Sequence, residues 1–274
     1  MTRRLALCAD DFGGTLPHSE AIAGLAQRGR LVAISCLTNG PHWRAAAPLL
    51  GPLGARVERG LHFNLTEGAP LSPELATEWP RLPTLPRLIA RAHLRALPVA
   101  ALQAEFDAQI DAFAAATGAA PAFVDGHQHV HHLPGIRTVV LDALARYPAQ
   151  VAVRNTGHLL GPGFDFKRML IEQTGGRALL RLLRERGIAH NPTLTGVYDF
   201  AQTDYRALMR RWLREVPDEG ALLFCHPGSP RGDALADPIA AARAREAAYL
   251  DSDEFEADLR RADVTLAAVW RVGW

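Results

Sequence analysis

The sequence predicts an α/β fold in which parallel strands bring their carboxyl ends to one edge of a sheet or barrel. Short apolar runs alternate repeatedly with stretches of helical periodicity, a pattern typical of right-handed parallel crossovers. Four of the apolar runs also end in Asp or His, within segments 9–13, 60–63, 124–131 and 224–228. Because the carboxyl ends of parallel strands lie on the same side, these four segments can converge on one site.

The predicted elements follow one another along the chain. Apolar runs with the length of buried strands occupy residues 5–9, 31–37, 57–63, 122–125, 151–154, 221–225 and 264–269. Apolar residues at helical spacing predict helices over residues 19–27, 43–50, 101–116, 136–147, 177–186, 205–215 and 239–249. This order favours a single domain over residues 1–274, without an internal repeat.

One segment interrupts the alternation. Residues 67–98 contain six prolines, which break any long helix or strand. Such a segment is either a disordered linker or a lid-like insertion beside the site. Apolar side chains run through it and favour an ordered insertion: Leu71, Leu75, Trp79, Leu82, Leu85, Leu88 and Ile89.

Charge and length narrow the class of partner. The 274 residues include 30 Lys and Arg against 29 Asp and Glu. This near balance of charge does not favour binding to nucleic acid or to an anionic membrane surface. A chain of this length can bury roughly three quarters of its unfolded surface. We therefore expect a substantial core and a small-molecule substrate.

The cysteines and the first residues bear on the compartment. Cys8, Cys36 and Cys225 lie in apolar, strand-like runs, which fits buried reduced thiols better than disulfides. Residues 1–4 lead at once into a predicted strand, which leaves no room for the core of a signal peptide. No apolar stretch approaches the length of a membrane span. We expect a cytoplasmic protein.

Two adjacent carboxylates end the first strand. Asp10 and Asp11 should point to opposite faces of an extended chain, so that one can bind a metal ion while the other accepts a proton. An aspartate at this position can equally form an Asx turn or cap a helix.

Histidines follow two of the other strands. His62 taken alone is more often a core or loop histidine than a ligand, whereas His127, His129 and His131 alternate along the chain. An extended chain would place these three on one face, and a helical turn would pair His127 with His131. Two or three imidazoles with a carboxylate and an open position form a catalytic metal site. The alternative is that His129, His131 and His132 belong to a polar loop.

Two further residues are candidates for the chemistry. His226 precedes Pro227 and Gly228, which end its strand, and its unperturbed pKa near neutrality suits a general acid. Arg154 could pair with a carboxylate of the site or bind a substrate oxygen, or it could be an ordinary surface arginine. The sequence contains no serine nucleophile elbow, P-loop or dinucleotide-binding fingerprint.

Four motifs together resemble the YdjC-like carbohydrate deacetylases, a group that contains chitooligosaccharide deacetylases of the ChbG type and hopanoid-associated HpnK proteins. The motifs occupy residues 10–13, 60–66, 125–131 and 226–228, and the resemblance extends from Leu5 to about Val269. It implies a distorted (β/α) barrel related to NodB-type polysaccharide deacetylases. It also implies a divalent cation and hydrolysis of an N-acetyl group on an amino sugar or short oligosaccharide.

The resemblance also implies roles for individual residues. The matching metal ligands are Asp11, His62 and His127, the matching base is Asp10, the matching acid is His226, and Arg154 resembles the arginine that steadies the base. Further residues of the motifs could support a ligand or contact substrate: Asp125, His129 and His131. The ligand set accepts Zn²⁺ or another first-row metal, and the resemblance slightly favours Mg²⁺.

Residues 14–18 depart from the family pattern after the first motif, so the sugar contacts there are expected to differ. Two other functions are compatible with strand-end ligands: another metal-dependent hydrolase such as a phosphoesterase, and a non-catalytic carbohydrate-binding protein. A phosphoesterase should carry more carboxylates to bind a second metal ion, and a binding protein needs neither a base nor an acid. A homodimer is also compatible with the sequence.

Overall fold

The computed structural model describes residues 2–147, 151–230 and 237–272. The strands of this part of the chain are all parallel: β1 (Arg3–Phe12), β2 (Ala33–Cys36), β3 (Glu58–Phe63), β4 (Phe123–Gly126), β5 (Ala152–Val153), β6 (Leu194–Thr195), β7 (Ala221–Cys225) and β8 (Val264–Leu266). Their order is β5-β4-β3-β2-β1-β7-β6, and β8 pairs with the first residues of β1. The α/β prediction is therefore confirmed.

The two edges of this sheet approach each other and close a distorted barrel. Parallel bridges link Val153 with His190 and Leu159 with Leu194, so β5 and β6 are joined without a continuous ladder. Main-chain hydrogen bonds join the Val153 N–H to the Ala189 carbonyl oxygen and the Leu160 N–H to the Leu194 carbonyl oxygen, and two buried asparagines bridge the gap between them. The Asn155 N–H donates to Asn191 Oδ1 over 2.7 Å, and the Nδ2 groups of the two residues donate to each other's carbonyl oxygen over 3.2 Å.

Helices connect the strands and cover the outside of the barrel. They are α1 (Leu16–Gln27), α2 (Trp43–Ala46), α3 (Pro73–Glu78), α4 (Leu85–His93), α5 (Val99–Thr117), α6 (Ile136–Leu144), α7 (Asp165–Ile171), α8 (Arg177–Glu185), α9 (Tyr205–Glu215), α10 (Ala240–Leu250) and α11 (Asp253–Arg261). None of these helices is both long and apolar enough to cross a membrane.

All seven predicted strands and all seven predicted helices have a counterpart, but several bounds were wrong. The helix predicted over 43–50 ends after Ala46 and continues as a 3-10 stretch, Ala47–Arg56, that contains Pro52 and a non-helical Gly54. The strand predicted over 151–154 shrinks to Ala152–Val153. The prediction missed β6, which has two residues, and the helices α3, α4, α7 and α11. The preference for an ordered 67–98 insertion is confirmed, because α3 and α4 bury Leu75 and Leu88 in the core.

Residues at every second position of the strands face the interior of the barrel, and these rows continue into the site. Cys8 is in register with Phe224, and Gly60 is in register with Phe123. The Phe123 ring occupies the space that a side chain on Gly60 would need, and it stacks on Trp270 at 4.9 Å between ring centroids. Each of these four inward-facing residues is followed, two positions later and on the same face, by a polar residue of the site. These polar residues are Asp10, His62, Asp125 and His226.

Candidate active site

Three side chains meet at the carboxyl ends of β1, β3 and β4. The Oδ1 atom of Asp11 lies 3.0 Å from His127 Nδ1 and 3.4 Å from His62 Nε2. One ligand atom from each of the three buried residues lies within 4.8 Å of the others. The structure therefore brings together the three residues expected from the sequence to bind a metal ion.

The backbone of Asp11 makes this meeting possible. Its φ of 65° lies in the left-handed region, which is unusual for a residue other than glycine, and the register of β1 shifts between Ala9 and Phe12. The simple alternation expected for Asp10 and Asp11 is therefore wrong. Asp10 continues the inward face of β1, and Asp11 is turned toward the two imidazoles.

His62 is oriented from behind by a buried carboxylate. Its Nδ1 lies 2.6 Å from Asp125 Oδ1, and the Ser35 hydroxyl donates to the same oxygen over 2.5 Å. Because Nδ1 is held in this way, Nε2 faces Asp11. Burial lowers the pKa of His62, but the negative charges of Asp125 and Asp10 outweigh it and raise that pKa to about 10.

His127 has a weaker outer partner. Its Nε2 lies 3.1 Å from the Glu67 carboxylate, whose side chain is 62% exposed. The Asn64 side chain accepts the N–H of Glu67 over 3.1 Å and so fixes the local backbone. Burial lowers the pKa of His127, but the neighbouring Asp11 carboxylate raises it to about 9. Both imidazoles thus lie in a region of negative potential.

The donor set of Asp11, His62 and His127 fits a divalent cation. One carboxylate oxygen and two ring nitrogens suit Zn²⁺ or another first-row metal, and Mg²⁺ would require additional waters. Asp125 behind His62 supplies the carboxylate that commonly fixes a metal-binding imidazole. Negative potential around the imidazoles further favours a bound cation over an empty site.

A second group of potential ligands is filled by a guanidinium. Cys8, Asp10 and Asp125 also lie close together. Arg154 donates to both Asp10 oxygens over 2.6 and 2.7 Å, donates to Cys8 Sγ over 3.3 Å, and contacts Asp125. Arg154 is fully buried, so its interpretation as a surface arginine is wrong. The Arg154 guanidinium thus lies between the two carboxylates of this group.

A second arginine binds the other oxygen of Asp11. Arg243 Nη2 donates to Asp11 Oδ2 over 2.7 Å, and its Nε donates to Asp237 over 2.7 Å. Asp237 also lies 3.4 Å from Nε2 of His18, a buried residue of the divergent segment 14–18. Burial alone would raise the pKa of Asp11. Arg243 and His127 outweigh that effect and hold this pKa well below its usual range.

His226 follows β7, and its ring is packed between aromatic rings. Phe200 and Phe224 make edge contacts with it at 5.3 and 5.7 Å between ring centroids. Its Nδ1 is buried and has no hydrogen-bond partner in the described part of the chain. Burial lowers the pKa of His226 to about 4. Burial thus moves this pKa away from the near-neutral value that made His226 a candidate general acid.

The histidines after His127 adopt neither of the expected patterns. Residues His127–His132 form a 3-10 stretch in which Gln128 and His129 have left-handed backbones, so His127, His129 and His131 do not share a face. His131 is fully buried, with Nε2 2.9 Å from the Arg154 carbonyl oxygen. His129 makes an edge contact with Phe224 at 5.2 Å between ring centroids. His131 thus supports the Arg154 backbone, and the polar-loop interpretation of it is wrong.

Several residues of the site were not predicted. They are Ser35, Glu67, Arg243 and Glu246. A serine inside the apolar run 31–37 was a usable signal for Ser35, because it lies two residues beyond the inward-facing Ala33. The sequence of α10 offers no comparable signal, since its charged residues resemble those of an exposed helix.

Comparison with known proteins connects this geometry to one family. A model of the YdjC-like protein family matches residues 4–261. The chain is 31% identical over 247 residues to a mouse protein named carbohydrate deacetylase, a match that covers 83% of this chain and 78% of the mouse protein. It is 32% identical over 154 residues to a chitooligosaccharide deacetylase of Enterobacter, which covers 53% of this chain and 57% of that protein.

A solved structure shares the fold. A protein of Enterococcus faecalis V583, proposed to cleave cellobiose phosphate, superposes with a TM-score of 0.77 at 20% identity. The match covers 98% of each chain. At this identity the likeness concerns the fold alone. It agrees with the distorted barrel described above.

Proposed function

We propose, on the premise that this chain belongs to the family of YdjC-like proteins, that it is a metal-dependent carbohydrate N-deacetylase. Its substrate would be an amino sugar, or a short oligosaccharide or glycoconjugate that contains N-acetylglucosamine. The observation that carries the proposal is the cluster of Asp11, His62 and His127, with Asp10 and His226 beside it and outside the ligand set. The names of the mouse and Enterobacter relatives support the same reaction.

A divalent cation held by Asp11, His62 and His127 would lower the pKa of a bound water and polarise the acetamide carbonyl. The family resemblance slightly favours Mg²⁺ as this ion, whereas the two imidazole donors suit Zn²⁺ or another first-row metal. Arg243 supports this role by binding one oxygen of Asp11 and leaving the other directed at the imidazoles.

Asp10 would accept the proton of the attacking water. Both of its oxygens already accept from Arg154, but a carboxylate has about four acceptor sites and can take a further hydrogen bond. The paired guanidinium fixes the orientation of this carboxylate. General base catalysis by a positioned group contributes roughly 10² to 10⁴ in rate.

His226 would carry the proton to the departing amine. In the resting protein burial favours the neutral ring, whereas Asp10 and Asp11 favour its protonation. Negative charge that develops on the acetyl oxygen during the reaction would act in the same direction as these two carboxylates. His226 would therefore take up the proton that Asp10 has accepted from the water and release it to the nitrogen as the C–N bond breaks.

The two alternatives have less support. A phosphoesterase with two metal ions would need the second ligand group, which Arg154 fills. A binding protein without turnover has no use for Asp10 and His226 beside the ligands. The cytoplasmic location, the single domain over 1–274 and a homodimer stay predictions.

Acetate release from N-acetylglucosamine, chitobiose and longer chitooligosaccharides tests the proposal. The protein should be stripped with a chelator and assayed before and after addition of Mg²⁺, Zn²⁺ or another first-row ion. We expect metal-restored acetate release from at least one of these substrates. Metal-restored phosphate release from 4-nitrophenyl phosphate without acetate release would favour the phosphoesterase, and saturable sugar binding without either product would favour the binding protein.

A further inference from the structure

We infer that Glu246 is a positioning residue for His226: its carboxylate holds the backbone of His226 and, through Tyr198, the aromatic wall around the ring. This inference rests on the proposed deacetylase function, because it assigns Glu246 a part in the late proton transfer. Glu246 belongs to none of the four sequence motifs. It lies on α10, outside the strand ends that build the site.

Glu246 makes two direct hydrogen bonds. The N–H of His226 donates to its Oε2 over 2.6 Å, and the Tyr198 hydroxyl donates to its Oε1. The strand β7 ends at Cys225, and Pro227 has no N–H. The carboxylate of Glu246 therefore fixes the chain at the point where it leaves the sheet and enters the site.

Tyr198 extends this support to the ring of His226. Its own ring lies 4.6 Å from Phe200 between centroids, and Phe200 in turn makes the edge contact with His226. Phe200 has a left-handed backbone, with φ of 64°, which a phenylalanine adopts only when its surroundings hold it there. One carboxylate thus links the backbone of His226 to the segment that packs against its ring.

The same face of α10 reaches the metal-binding cluster. Arg243 and Glu246 are three residues apart and so lie on one side of the helix. Arg243 binds Asp11 through its side chain, and its carbonyl oxygen accepts the N–H of Gly228 over 3.1 Å. One helix face therefore orients a ligand residue and holds the 226–228 turn at two points.

The burial of Glu246 calls for such a role. Its side chain is fully buried, and a buried carboxyl group lowers stability unless its oxygens are satisfied. No cation donates to it among the contacts of the described residues, and burial raises its pKa to about 7. A leucine of similar size would fill the space without this penalty, so packing alone gives no reason for a carboxyl group here.

The test compares Glu246→Leu, which removes both acceptors, with Glu246→Gln, which keeps an acceptor for the His226 N–H. Glu215→Gln, at the exposed end of α9, is the matched control. We expect Glu246→Leu to lower kcat on an N-acetyl substrate about 10- to 100-fold, the range typical of lost positioning contacts, with KM and bound metal unchanged. Glu246→Gln and the control should stay within about threefold of the parent protein.

Substrate choice separates positioning from general damage. An acetate ester with a good leaving group needs little protonation, so Glu246→Leu should slow ester cleavage much less than amide cleavage. Equal losses on both substrates, a loss of bound metal, or a fall in Glu246→Gln as large as in Glu246→Leu would overturn the inference. If Glu246→Leu does not fold, Tyr198→Phe provides the same amide-to-ester comparison with a smaller expected loss.

A readout that needs no turnover distinguishes this inference from the proposed function. In an ¹⁵N-labelled protein, the amide proton of His226 should resonate far downfield and exchange slowly with water because it makes a short, buried hydrogen bond to a side-chain oxygen of residue 246. We expect both properties to be lost in Glu246→Leu and kept in Glu246→Gln. The inference fails if the leucine variant keeps them. If the parent protein releases no acetate but the amide proton of His226 behaves as expected in both variants, the proposed function is wrong and the contact between Glu246 and His226 is confirmed.

Discussion

The two sides of the site are built from different material. The inner side consists of side chains on strands or directly after them, and Asp10, Arg154, Asp125 and His62 are all nearly or fully buried there. The outer side consists of the loop that carries Glu67, whose side chain is 62% exposed. Each side holds one imidazole of the metal-binding cluster. The inner imidazole has a rigid, buried partner and the outer one has a solvent-exposed partner.

This difference indicates a division of labour. On the inner side, Arg154 lies between two carboxylates in a region of low dielectric, so each charge depends on the others. On the outer side, solvent can compensate for a lost partner, and local movement costs little. We therefore expect substitutions of the inner side to affect folding and chemistry together, and those of the outer side to tune affinity.

The largest effect is expected for Arg154→Met. This change leaves Asp10 and Asp125 buried without their cation and should lower the free energy of unfolding by about 3–5 kcal/mol. Urea denaturation measures it. The control is Arg186→Met, which breaks an exposed ion pair with Asp142 and should cost less than about 1 kcal/mol. Similar losses in the two variants would contradict the distinction between the two sides.

Metal binding should depend on both imidazoles. His62→Ala and His127→Ala each remove one of three ligands, so each variant should lose most of its bound metal and activity. Metal content after dialysis, measured by mass spectrometry, checks this. His129→Ala is the control and should retain the ion, because His129 packs against Phe224. Full occupancy without His62 or His127 would remove that residue from the ligand set.

Asp10→Asn should separate proton transfer from metal binding. The amide keeps the shape of the side chain but cannot serve as a base, so we expect turnover to fall roughly 10²- to 10⁴-fold with bound metal retained. Asp11→Asn should show the converse loss of metal. Steady-state kinetics and metal analysis on both variants would reveal an exchange of roles, if the first variant lost its ion and the second kept it.

A smaller, pH-dependent effect sharpens the comparison of buried carboxyl groups. Despite burial, the cations Arg154 and His62 lower the pKa of Asp125 to about 2, whereas burial raises that of Glu246 from 4.5 to about 7. Because the pKa of Glu246 is higher in the folded state, its protonated carboxyl group contributes fully to stability below about pH 4.5. That contribution is lost as the pH rises through 7. The Gln side chain does not titrate. Between pH 4.5 and pH 8, the free energy of unfolding of Glu246→Gln should therefore rise by up to about 3 kcal/mol relative to that of the parent protein.

Urea denaturation of both proteins at pH 5 and pH 8, in the presence of a chelator, measures this difference. Glu215→Gln should show no comparable dependence, because that side chain is exposed. Parallel stability curves for the parent protein and Glu246→Gln would mean that the buried carboxyl group does not retain its proton.

The smallest effect is expected for Glu67→Gln. The amide can still contact His127 Nε2, and solvent screens the lost charge, so metal affinity should fall less than tenfold. Asp125→Asn, the corresponding change behind His62, should weaken it by 10- to 100-fold or more. Titration calorimetry compares the two variants directly. Equal losses would show that burial of the partner carboxylate is unimportant.

The sequence was informative where chemistry and strand periodicity coincide. Asp10, His62, Asp125 and His226 extend inward-facing rows of β1, β3, β4 and β7, so apolar runs that end in these residues predicted both the fold and the meeting of side chains. The family resemblance added the grouping of Asp11, His62 and His127, which the structure brings within reach of one ion.

Other features depend on long-range contacts that no local pattern encodes. The left-handed backbone of Asp11 breaks the alternation that a strand predicts. Arg243 and Glu246 lie in an alanine-rich helix with one further arginine, Arg245, and only packing decides which of the charged residues are buried. The lowered pKa of His226 arises from burial of its ring, which packs against Phe200 and Phe224, although sequence alone places that ring at an open strand end.

The asparagine pair that joins the barrel edges has an evolutionary consequence. Every strand pairing from β5 through β1 to β6 uses main-chain groups, so those positions can drift among many residue types without losing their hydrogen bonds. At positions 155 and 191 the side chain both donates and accepts, and an amide group supplies its two donors and its acceptor in one plane. We expect related chains to keep an amide at both positions, whereas the main-chain hydrogen bonds beside them leave the neighbouring positions free to vary.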